Sequence, residues 1–240
     1  MIVAGIVAGG SGTRMGTAVP KQYLMLGNRC ILLRTVDCFL AHPDIDLIIL
    51  GVAQDYVAYT EDLLDRSLDS ENRKRVIVVS GGADRNETLM HICEKAEELD
   101  ASPDTILVTH DAVRPFVTQQ MISDGIEKLR TSPERTAVTT AIPVVDTIIR
   151  CNDSRQVEEV PDRSTMFQAQ TPQTVRLTEL LELYRTVSPE ERALRTDLSG
   201  LYRSQNRTVY TVPGSPKNRK ITTPEDYETA AELFREELKE

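Results

Sequence analysis

The chain has 240 residues, of which 40% are hydrophobic, and a formal net charge of −9 at pH 7. That apolar fraction is enough for the core of one sizeable domain, and the acidic balance argues against a nucleic-acid partner, because such a surface needs a basic patch. No apolar run reaches membrane-spanning length and no cationic segment precedes the first one, so the sequence predicts no membrane partner, no signal peptide and a cytoplasmic location. The cysteines Cys30, Cys38, Cys93 and Cys151 form no C-x-x-C pair, so we expect reduced thiols.

The chain begins with an apolar run that leads into a glycine-rich loop. Residues 2–8 (IVAGIVA) are typical of a buried strand. Four glycines and two cations follow: Gly9, Gly10, Gly12, Gly16, Arg14 and Lys21. Because glycine has no Cβ, the backbone N–H groups of such a loop can approach an anion closely, and cations beside it favour phosphate binding.

This loop departs from both common phosphate-binding motifs. A P-loop requires its lysine to be followed by Ser or Thr, whereas Lys21 is followed by glutamine. The dinucleotide motif G-x-G-x-x-G is one residue shorter than the spacing from Gly10 to Gly16, which also contains Arg14. A dinucleotide-binding dehydrogenase and a plain strand-to-helix turn are therefore the weaker interpretations.

Strands and helices alternate through the next 120 residues. Further strands are predicted over 46–52, 75–79, 105–109 and 136–142, and helices over 30–40, 56–68, 87–99 and 121–129. This alternation predicts an α/β fold with a Rossmann-like, doubly wound, mostly parallel sheet. In such a sheet ligands bind at the carboxyl ends of the strands, so the loops 9–21, 81–88 and 110–115 are expected to meet at one edge.

The alternation stops after residue 142. Residues 145–150 and 156–160 flank a turn-rich segment and predict a β-hairpin that leaves the main sheet. Later helices are predicted over 177–186 and 189–202, a last strand over 207–212, and helix N-caps at Ser188 and Thr223. We expect a single domain over residues 1–240, with an arm at about 145–162 that either binds a partner chain or decorates the surface.

The expected edge combines several cations with one acid, Asp111. Cations around a phosphate suit phosphoryl or nucleotidyl transfer, in which catalysis comes mainly from positioning and charge neutralisation. A phosphate nucleophile needs no general base, which agrees with the lack of a serine–histidine–acid set; His110 is either a base or a core histidine. Mg²⁺ is expected, held mostly by a triphosphate. Asp111 could contact that metal or a ribose, or cap the following turn.

Six short blocks, spread along nearly the whole chain, carry a family resemblance. They read A-G-G-S-G-T-R-M-G at 8–16 with P-K-Q at 20–22, G-G-A-D-R at 81–85, H-D-A-V-R-P at 110–115, V-V-D-T at 144–147, Q-T-P-Q at 170–173 and N-R-K-I-T-T-P-E-D at 218–226. In this order they resemble the blocks of the cytidylyltransferases that activate sugar-alcohol phosphates.

The resemblance implies roles for particular residues. Arg14 and Lys21 would stabilise the transition state at the α-phosphate, with Arg163 and Lys220 also catalytic. The CTP site would be lined by Val7, Ala8, Gly9, Gly10, Gly82, Asp84, Arg85, Thr88, Asp111 and Ala112. The polyol phosphate would be held by Arg163, Thr171 and Lys220. In this family the arm inserts into the neighbouring subunit, which implies a homodimer in which Arg163 and Thr171 act across the interface.

Two groups of this family compete for the assignment: one makes CDP-methylerythritol for isoprenoids, the other CDP-ribitol for cell-wall polymers of the teichoic acid type. The first group usually has A-A-G in the first loop and a tryptophan before A-Q-T-P, whereas this chain has Gly9 in that loop, Phe167 before A-Q-T-P, and no tryptophan. The segments 81–86 and 194–197 also resemble the ribitol group, while Ala112, commonly serine there, is a departure. Ribitol 5-phosphate is therefore the favoured acceptor and methylerythritol phosphate the alternative.

Two functions from other classes remain open on the sequence. A catalytically inactive nucleotide-binding module would keep the glycine loop without turnover, although the full set of cations argues against it. A ribitol-phosphate dehydrogenase would need the dinucleotide spacing that the first loop does not have. Binding without pyrophosphate release would favour the first, and a response to nicotinamide cofactors the second.

Overall fold

The computed structural model describes residues 1–10 and 19–237 of the chain. The strands are β1 (Ile2–Ala8), β2 (Met25–Leu26), β3 (Arg29–Cys30), β4 (Leu47–Val52), β5 (Val76–Ser80), β6 (Ile106–Asp111), β7 (Thr136–Pro143), β8 (Arg150–Cys151), β9 (Val157–Glu159), β10 (Phe167–Arg176) and β11 (Thr208–Pro213). The helices are α1 (Ile31–Leu40), α2 (Val57–Ser67), α3 (Ser70–Lys74), α4 (Arg85–Leu99), α5 (Gln119–Arg130), α6 (Leu177–Thr186), α7 (Pro189–Ala193), α8 (Leu198–Ser204) and α9 (Pro224–Glu237).

The main sheet contains, within those residues, seven strands in the order β11-β7-β10-β6-β1-β4-β5. Neighbouring strands are parallel except where β10 is involved, since it runs antiparallel to both β6 and β7. The predicted mostly parallel α/β sheet is confirmed. Because the other strands share one direction, the carboxyl ends of β1, β5 and β6 lie at the same edge, where Val7 pairs with Asp111.

Helices cover both faces of this sheet, because side chains along its central strands alternate between two buried clusters. On β1, Ile6 belongs to a cluster with Phe39 of α1. Val3, on the same strand, belongs to the cluster on the other face, with Ile92 of α4. The apolar sides of these helices are buried against the sheet. Within residues 1–10 and 19–237, no helix has the length and apolarity needed to cross a membrane.

The largest departure from the sequence prediction is β10. The sequence predicts no strand over residues 161–173, yet β10 runs through the sheet between β6 and β7. Its sequence lacks apolar alternation because the buried side chains of Gln170, Thr171 and Gln173 are polar and hydrogen-bonded. Pro172, which has no N–H, lies in the irregular pairing between the two glutamines.

Three smaller boundaries also differ. β6 runs two residues further than predicted, so His110 and Asp111 belong to the strand rather than to the loop. The predicted helix over 189–202 is divided into α7 and α8, because the Asp197 side chain accepts a hydrogen bond from Gly200 N–H and caps α8. The hairpin forms its own two-stranded sheet, as predicted, but residues 145–149 lie outside its strands.

Both predicted N-caps are confirmed. The Ser188 side chain accepts a hydrogen bond from Glu191 N–H at the start of α7. The Thr223 hydroxyl accepts one from Asp226 N–H at 3.2 Å, at the start of α9. These caps satisfy backbone donors that the first helical turn leaves without partners.

Candidate active site

A cavity of about 380 Å³ opens at the carboxyl edge of the sheet. Its lining combines the ends of β1 and β6, the loop after β5 and the start of α4: Val7, Ala8, Gly9, Gly10, Lys21, Gln22, Gly82, Ala83, Asp84, Arg85, Thr88, Asp111, Ala112, Val113 and Lys220. The expected meeting of the three loops at one edge is therefore confirmed for the described residues. Every residue that the resemblance places in the CTP site lines this cavity, and its role in binding stays a prediction.

The Gln22 side chain contacts the backbone where β1 ends and the loop begins. Gln22 Nε2 donates hydrogen bonds to the carbonyl oxygens of Ala8 at 2.7 Å and Gly10 at 3.2 Å. The N–H groups of Gly9 and Gly10 donate to no residue that the structure describes. Backbone N–H groups that line a cavity next to a glycine pair are suited to binding an anion.

The loop after β5 is organised around Thr88, which is buried on α4. Its hydroxyl accepts a hydrogen bond from Gly82 N–H at 3.1 Å and donates one to the carbonyl oxygen of Asp84 at 2.8 Å. A Cβ added to Gly51 of β4 would lie 2.5 Å from the Thr88 Cγ2 atom, so glycine is needed for this close approach. Thr88 thus fixes the loop, and its hydroxyl proton is used within the protein.

Asp111 is the centre of an ionic cluster in the cavity wall. Its Oδ1 atom lies 3.4 Å from Arg85 Nε, and its Oδ2 atom lies 3.3 Å from Arg114 Nε and 3.0 Å from Lys220 Nζ. Burial raises the pKa of the Asp111 carboxyl, but the charges of Arg85, Lys220 and Arg114 outweigh that effect and hold the pKa well below its usual range. The carboxylate is therefore ionised at neutral pH and holds these cations together.

His110 is buried beneath this cluster, as the core alternative predicts. Its Nε2 atom lies 3.0 Å from the carbonyl oxygen of Arg114, which can only accept, so Nε2 carries the proton. Its Nδ1 atom then accepts from the Thr171 hydroxyl at 3.0 Å, and that hydroxyl accepts from Asp111 N–H at 3.1 Å. Burial lowers the pKa of His110 to about 4. A neutral ring that is fully hydrogen-bonded is suited to positioning rather than to proton transfer.

Two further cavities adjoin the first on the side of β10. One, of about 120 Å³, is lined by Arg85, Asp111, Arg114, Ala169, Gln170, Thr171, Gln173, Thr196, Asp197 and Lys220. The other, of about 450 Å³, is lined by Arg114, Ile142, Gln168, Ala169, Gln170, Pro216, Arg219, Lys220, Thr222 and Asp226. Lys220 lines all three cavities. It therefore lies where a ligand in the first cavity and a ligand on the β10 side would meet.

The two remaining predicted catalytic residues are Arg14 and Arg163. Arg14 lies outside the described residues. Arg163 lies at the base of the arm, where its exposed side chain donates to the carbonyl oxygen of Val145 at 2.7 Å. It lines none of the three cavities of its own chain. Its predicted role therefore requires either movement of the arm or a second subunit.

The structure adds site residues to which the sequence assigned no role. Gln22 and Arg219 stand inside blocks that the sequence singles out, so their place in those blocks was the available signal. Gln173 and Asp197 also stand inside singled-out segments, but their contact with each other joins residues that are far apart in sequence. Gln173 Nε2 donates to Asp197 Oδ2 at 2.9 Å, which ties the start of α8 to β10.

The described side chains do not form a protein-held metal centre. Within residues 1–10 and 19–237, no group of three or more His, Cys, Asp or Glu side chains could hold a metal ion. Of the cavity carboxylates, Asp84 accepts from Glu87 N–H as the cap of α4, and Asp111 is paired with three cations. This donor set fits an ion that arrives with a triphosphate better than one the protein holds alone. Asp111 as a metal ligand stays a prediction.

Comparison with known proteins places the chain among cytidylyltransferases. The family model for 2-C-methyl-D-erythritol 4-phosphate cytidylyltransferase (IspD) matches residues 2–236. The chain is 39% identical over 236 residues to ribitol-5-phosphate cytidylyltransferases from Streptococcus pneumoniae, among them those of strains Spain 23F-1 and JJA, and the match covers 98% of this chain and 99% of each relative.

Solved structures agree with this result. The 4-diphosphocytidyl-2C-methyl-D-erythritol synthase of Anaerococcus prevotii superimposes with a TM-score of 0.78 at 28% identity, covering 98% of both chains. The 2-C-methyl-D-erythritol 4-phosphate cytidylyltransferase of Francisella tularensis gives a TM-score of 0.77 at 27% identity, covering 95% of this chain and 97% of that one. With the ordered sequence blocks and the glycine-lined cavity, these matches show that the chain belongs to the IspD family of CTP-dependent cytidylyltransferases.

Proposed function

We propose that this protein transfers the cytidylyl group of CTP to D-ribitol 5-phosphate, giving CDP-ribitol and pyrophosphate. The observation that carries the proposal is the Asp111–Lys220 pair, which separates a glycine-lined cavity from two cavities on the β10 side. CTP, with Mg²⁺ on its phosphates, occupies the first cavity, and the polyol phosphate lies on the β10 side. Lys220 then stands between the two substrates.

The lining of the acceptor side supports ribitol over methylerythritol. Apart from Ala169, the cavity of about 120 Å³ next to Asp111 is lined by polar and charged side chains. Ribitol presents a hydroxyl on every free carbon, whereas methylerythritol carries a methyl group that would meet Ala169 as the one apolar side chain lining this cavity. The 39% identity to proteins named ribitol-5-phosphate cytidylyltransferase points to the same acceptor.

The chemistry of the transfer needs charge stabilisation rather than a base. An oxygen of the acceptor phosphate attacks the α-phosphorus, the bond to the bridging oxygen of the β-phosphate breaks, and pyrophosphate leaves. No proton has to move, because a phosphate monoester is ionised at neutral pH. Lys21 and Lys220 line the cavity from opposite ends of the sequence and oppose the negative charge that develops.

The arm supports a dimer as part of the proposal. Its apolar side chains are largely exposed within one subunit: Val145 is 80% exposed, Val157 54% and Val160 60%. Exposed apolar side chains on and beside a hairpin are suited to an interface with a second copy. Insertion of the arm into the partner would bring Arg163 to the acceptor phosphate of the neighbouring site.

The proposal is tested by measuring pyrophosphate release from CTP and Mg²⁺ with each acceptor separately. D-ribitol 5-phosphate should support turnover, and reactions without acceptor should not. Faster turnover with 2-C-methyl-D-erythritol 4-phosphate would overturn the choice of acceptor. Binding of CTP without pyrophosphate release for any polyol phosphate would instead identify a nucleotide-binding module.

A further inference from the structure

The side chain of Gln22 makes contacts to which the reaction above gives no role. It is 3% exposed, and its Nε2 atom donates to the carbonyl oxygens of Ala8 at 2.7 Å and Gly10 at 3.2 Å. Since both partners can only accept, the –NH₂ end of the amide must face them, which fixes the orientation of the group. One side chain thus holds the two carbonyl groups that flank Gly9.

This contact sets the polarity of the backbone at the cavity. In a trans peptide the C=O and N–H bonds point in opposite directions. The carbonyl group of Ala8, held toward Gln22, therefore turns the N–H of Gly9 away from that side chain. The N–H groups of Gly9 and Gly10 donate to no described residue, and both glycines line the cavity. Gly9 N–H, whose direction follows from the held Ala8 carbonyl group, is therefore a donor for an anion in the cavity.

The residue after Gln22, Tyr23, packs against the start of α2 and the turn before it. It lies in a buried 3-10 turn that covers Lys21–Tyr23. The Tyr23 hydroxyl lies 2.8 Å from Thr60 Oγ1, and its ring stacks on Tyr56 with centroids 5.1 Å apart. The position of the amide is therefore fixed by the core and does not depend on a bound ligand.

We propose that Gln22 is a positioning residue for the nucleotide: it holds the carbonyl groups of Ala8 and Gly10 and so directs Gly9 N–H toward the phosphates of CTP. It acts through the backbone and neither contacts the reacting atoms nor transfers a proton. The inference rests on the proposed use of CTP and adds the residue that fixes the backbone at Gly9.

Two substitutions test this role. Gln22→Glu places a carboxylate against two carbonyl oxygens, which repels them, whereas Gln22→Met removes the donor at similar volume and without charge. We expect kcat/KM for CTP to fall about 100-fold in the first and about tenfold in the second, mostly through KM for CTP. KM for the polyol phosphate should stay within twofold. Gln54→Glu makes the same charge change on an exposed side chain and should leave both constants unchanged.

The pH dependence of kcat/KM in the Gln22 variants distinguishes a positioning role of this residue from a general loss of structure. At lower pH the introduced carboxyl takes up a proton and can again donate one hydrogen bond, so the deficit of Gln22→Glu relative to the parent should shrink from pH 8 to pH 6. The deficit of Gln22→Met should stay constant. The charged groups that line the same cavity are Lys21, Asp84, Arg85, Asp111 and Lys220. Parent and variants share these groups, so their effects cancel in the ratio of variant to parent kcat/KM.

Failure of the proposed role of Gln22 can be distinguished from failure of the proposed function. CTP affinity from calorimetry tests Gln22 even if the acceptor is misassigned, whereas a parent protein that releases no pyrophosphate with any acceptor counts against the function alone. CTP affinities within twofold of the parent in Gln22→Met would overturn the inference. An equal rise in KM for both substrates would also overturn it. If Gln22→Glu does not fold, Gln22→Met decides between these results.

Discussion

Lys220 and Asp111 are 109 residues apart in sequence, yet the Nζ atom of the lysine lies 3.0 Å from the Oδ2 atom of the aspartate. The aspartate ends a central strand, and the lysine belongs to the loop between β11 and α9. Because Arg85 and Arg114 approach the same carboxylate, the pair is the meeting point of three segments of the site. The proposed function depends on this arrangement.

Asp111→Asn should reduce turnover by about 100-fold or more, which corresponds to about 2.7 kcal/mol of lost transition-state stabilisation. The amide cannot hold the three cations that the carboxylate holds, so Lys220 and Arg85 lose their positions. Steady-state kinetics with both substrates measures the effect. The control is Asp37→Asn on α1, which weakens an ion pair with Arg29 of β3. Equal activities of the two variants would contradict the account.

His110 makes stability depend on pH. Its folded pKa of about 4 lies below its ordinary value of 6.5, so between these values the unfolded chain binds a proton that the folded protein does not. This contribution to stability is present above pH 6.5 and is lost as the pH falls, by about 2 kcal/mol between pH 7 and pH 5. Urea unfolding at pH 7 and pH 5 measures the loss in free energy of unfolding. In His110→Gln this loss should be smaller than in the parent by about 2 kcal/mol. Identical pH dependence would refute the assignment.

The Thr88 hydroxyl should matter for nucleotide binding through the backbone that it holds. Thr88→Val keeps the shape but leaves Gly82 N–H without its acceptor, which costs about 1–3 kcal/mol. We expect the KM for CTP to rise about tenfold in this variant. Thr88→Ser keeps the hydroxyl and should stay close to the parent, apart from the lost methyl contact with β4. The prediction fails if both variants bind CTP equally well.

Arm exchange can be tested with two inactive variants, Arg163→Ala and Lys21→Ala. If Arg163 acts across the interface, a mixed dimer has one site with both defects and one intact site. Coexpression at equal levels makes about half of the dimers mixed, so about a quarter of the parent activity should return. Gel filtration verifies that dimers are present. Activity no higher than that of the separate variants would place Arg163 in the site of its own subunit.

The sequence was sufficient for the α/β sheet and for the edge at which the site lies. The runs that became β1, β4 and β6 are apolar because they are buried on both faces, and Gly9 and Gly81 directly follow β1 and β5. In contrast, β10 could not be predicted, since its buried side chains are glutamines and threonines whose partners are distant in sequence. Gln173, for example, reaches Thr139 and Asp197, which only the folded sheet brings near.

The partners of individual site residues were also beyond the sequence. The block that contains Asp111 and Arg114 indicated a functional loop. In the structure, Asp111 is the last residue of β6, and the Arg114 side chain forms an ion pair with it. The resemblance implies that Thr171 binds the acceptor phosphate. Its hydroxyl instead bonds to His110 and to the backbone of Asp111 within one subunit. Whether it also contacts phosphate stays a prediction.

A competition assay tests the central claim most directly. The protein is incubated with CTP, Mg²⁺ and equal concentrations of D-ribitol 5-phosphate and 2-C-methyl-D-erythritol 4-phosphate, and the two products are quantified by mass spectrometry at low conversion. Their ratio equals the ratio of kcat/KM values for the two acceptors. The account predicts that CDP-ribitol exceeds the other product by about tenfold or more, or about 1.4 kcal/mol. An excess of CDP-methylerythritol would contradict it.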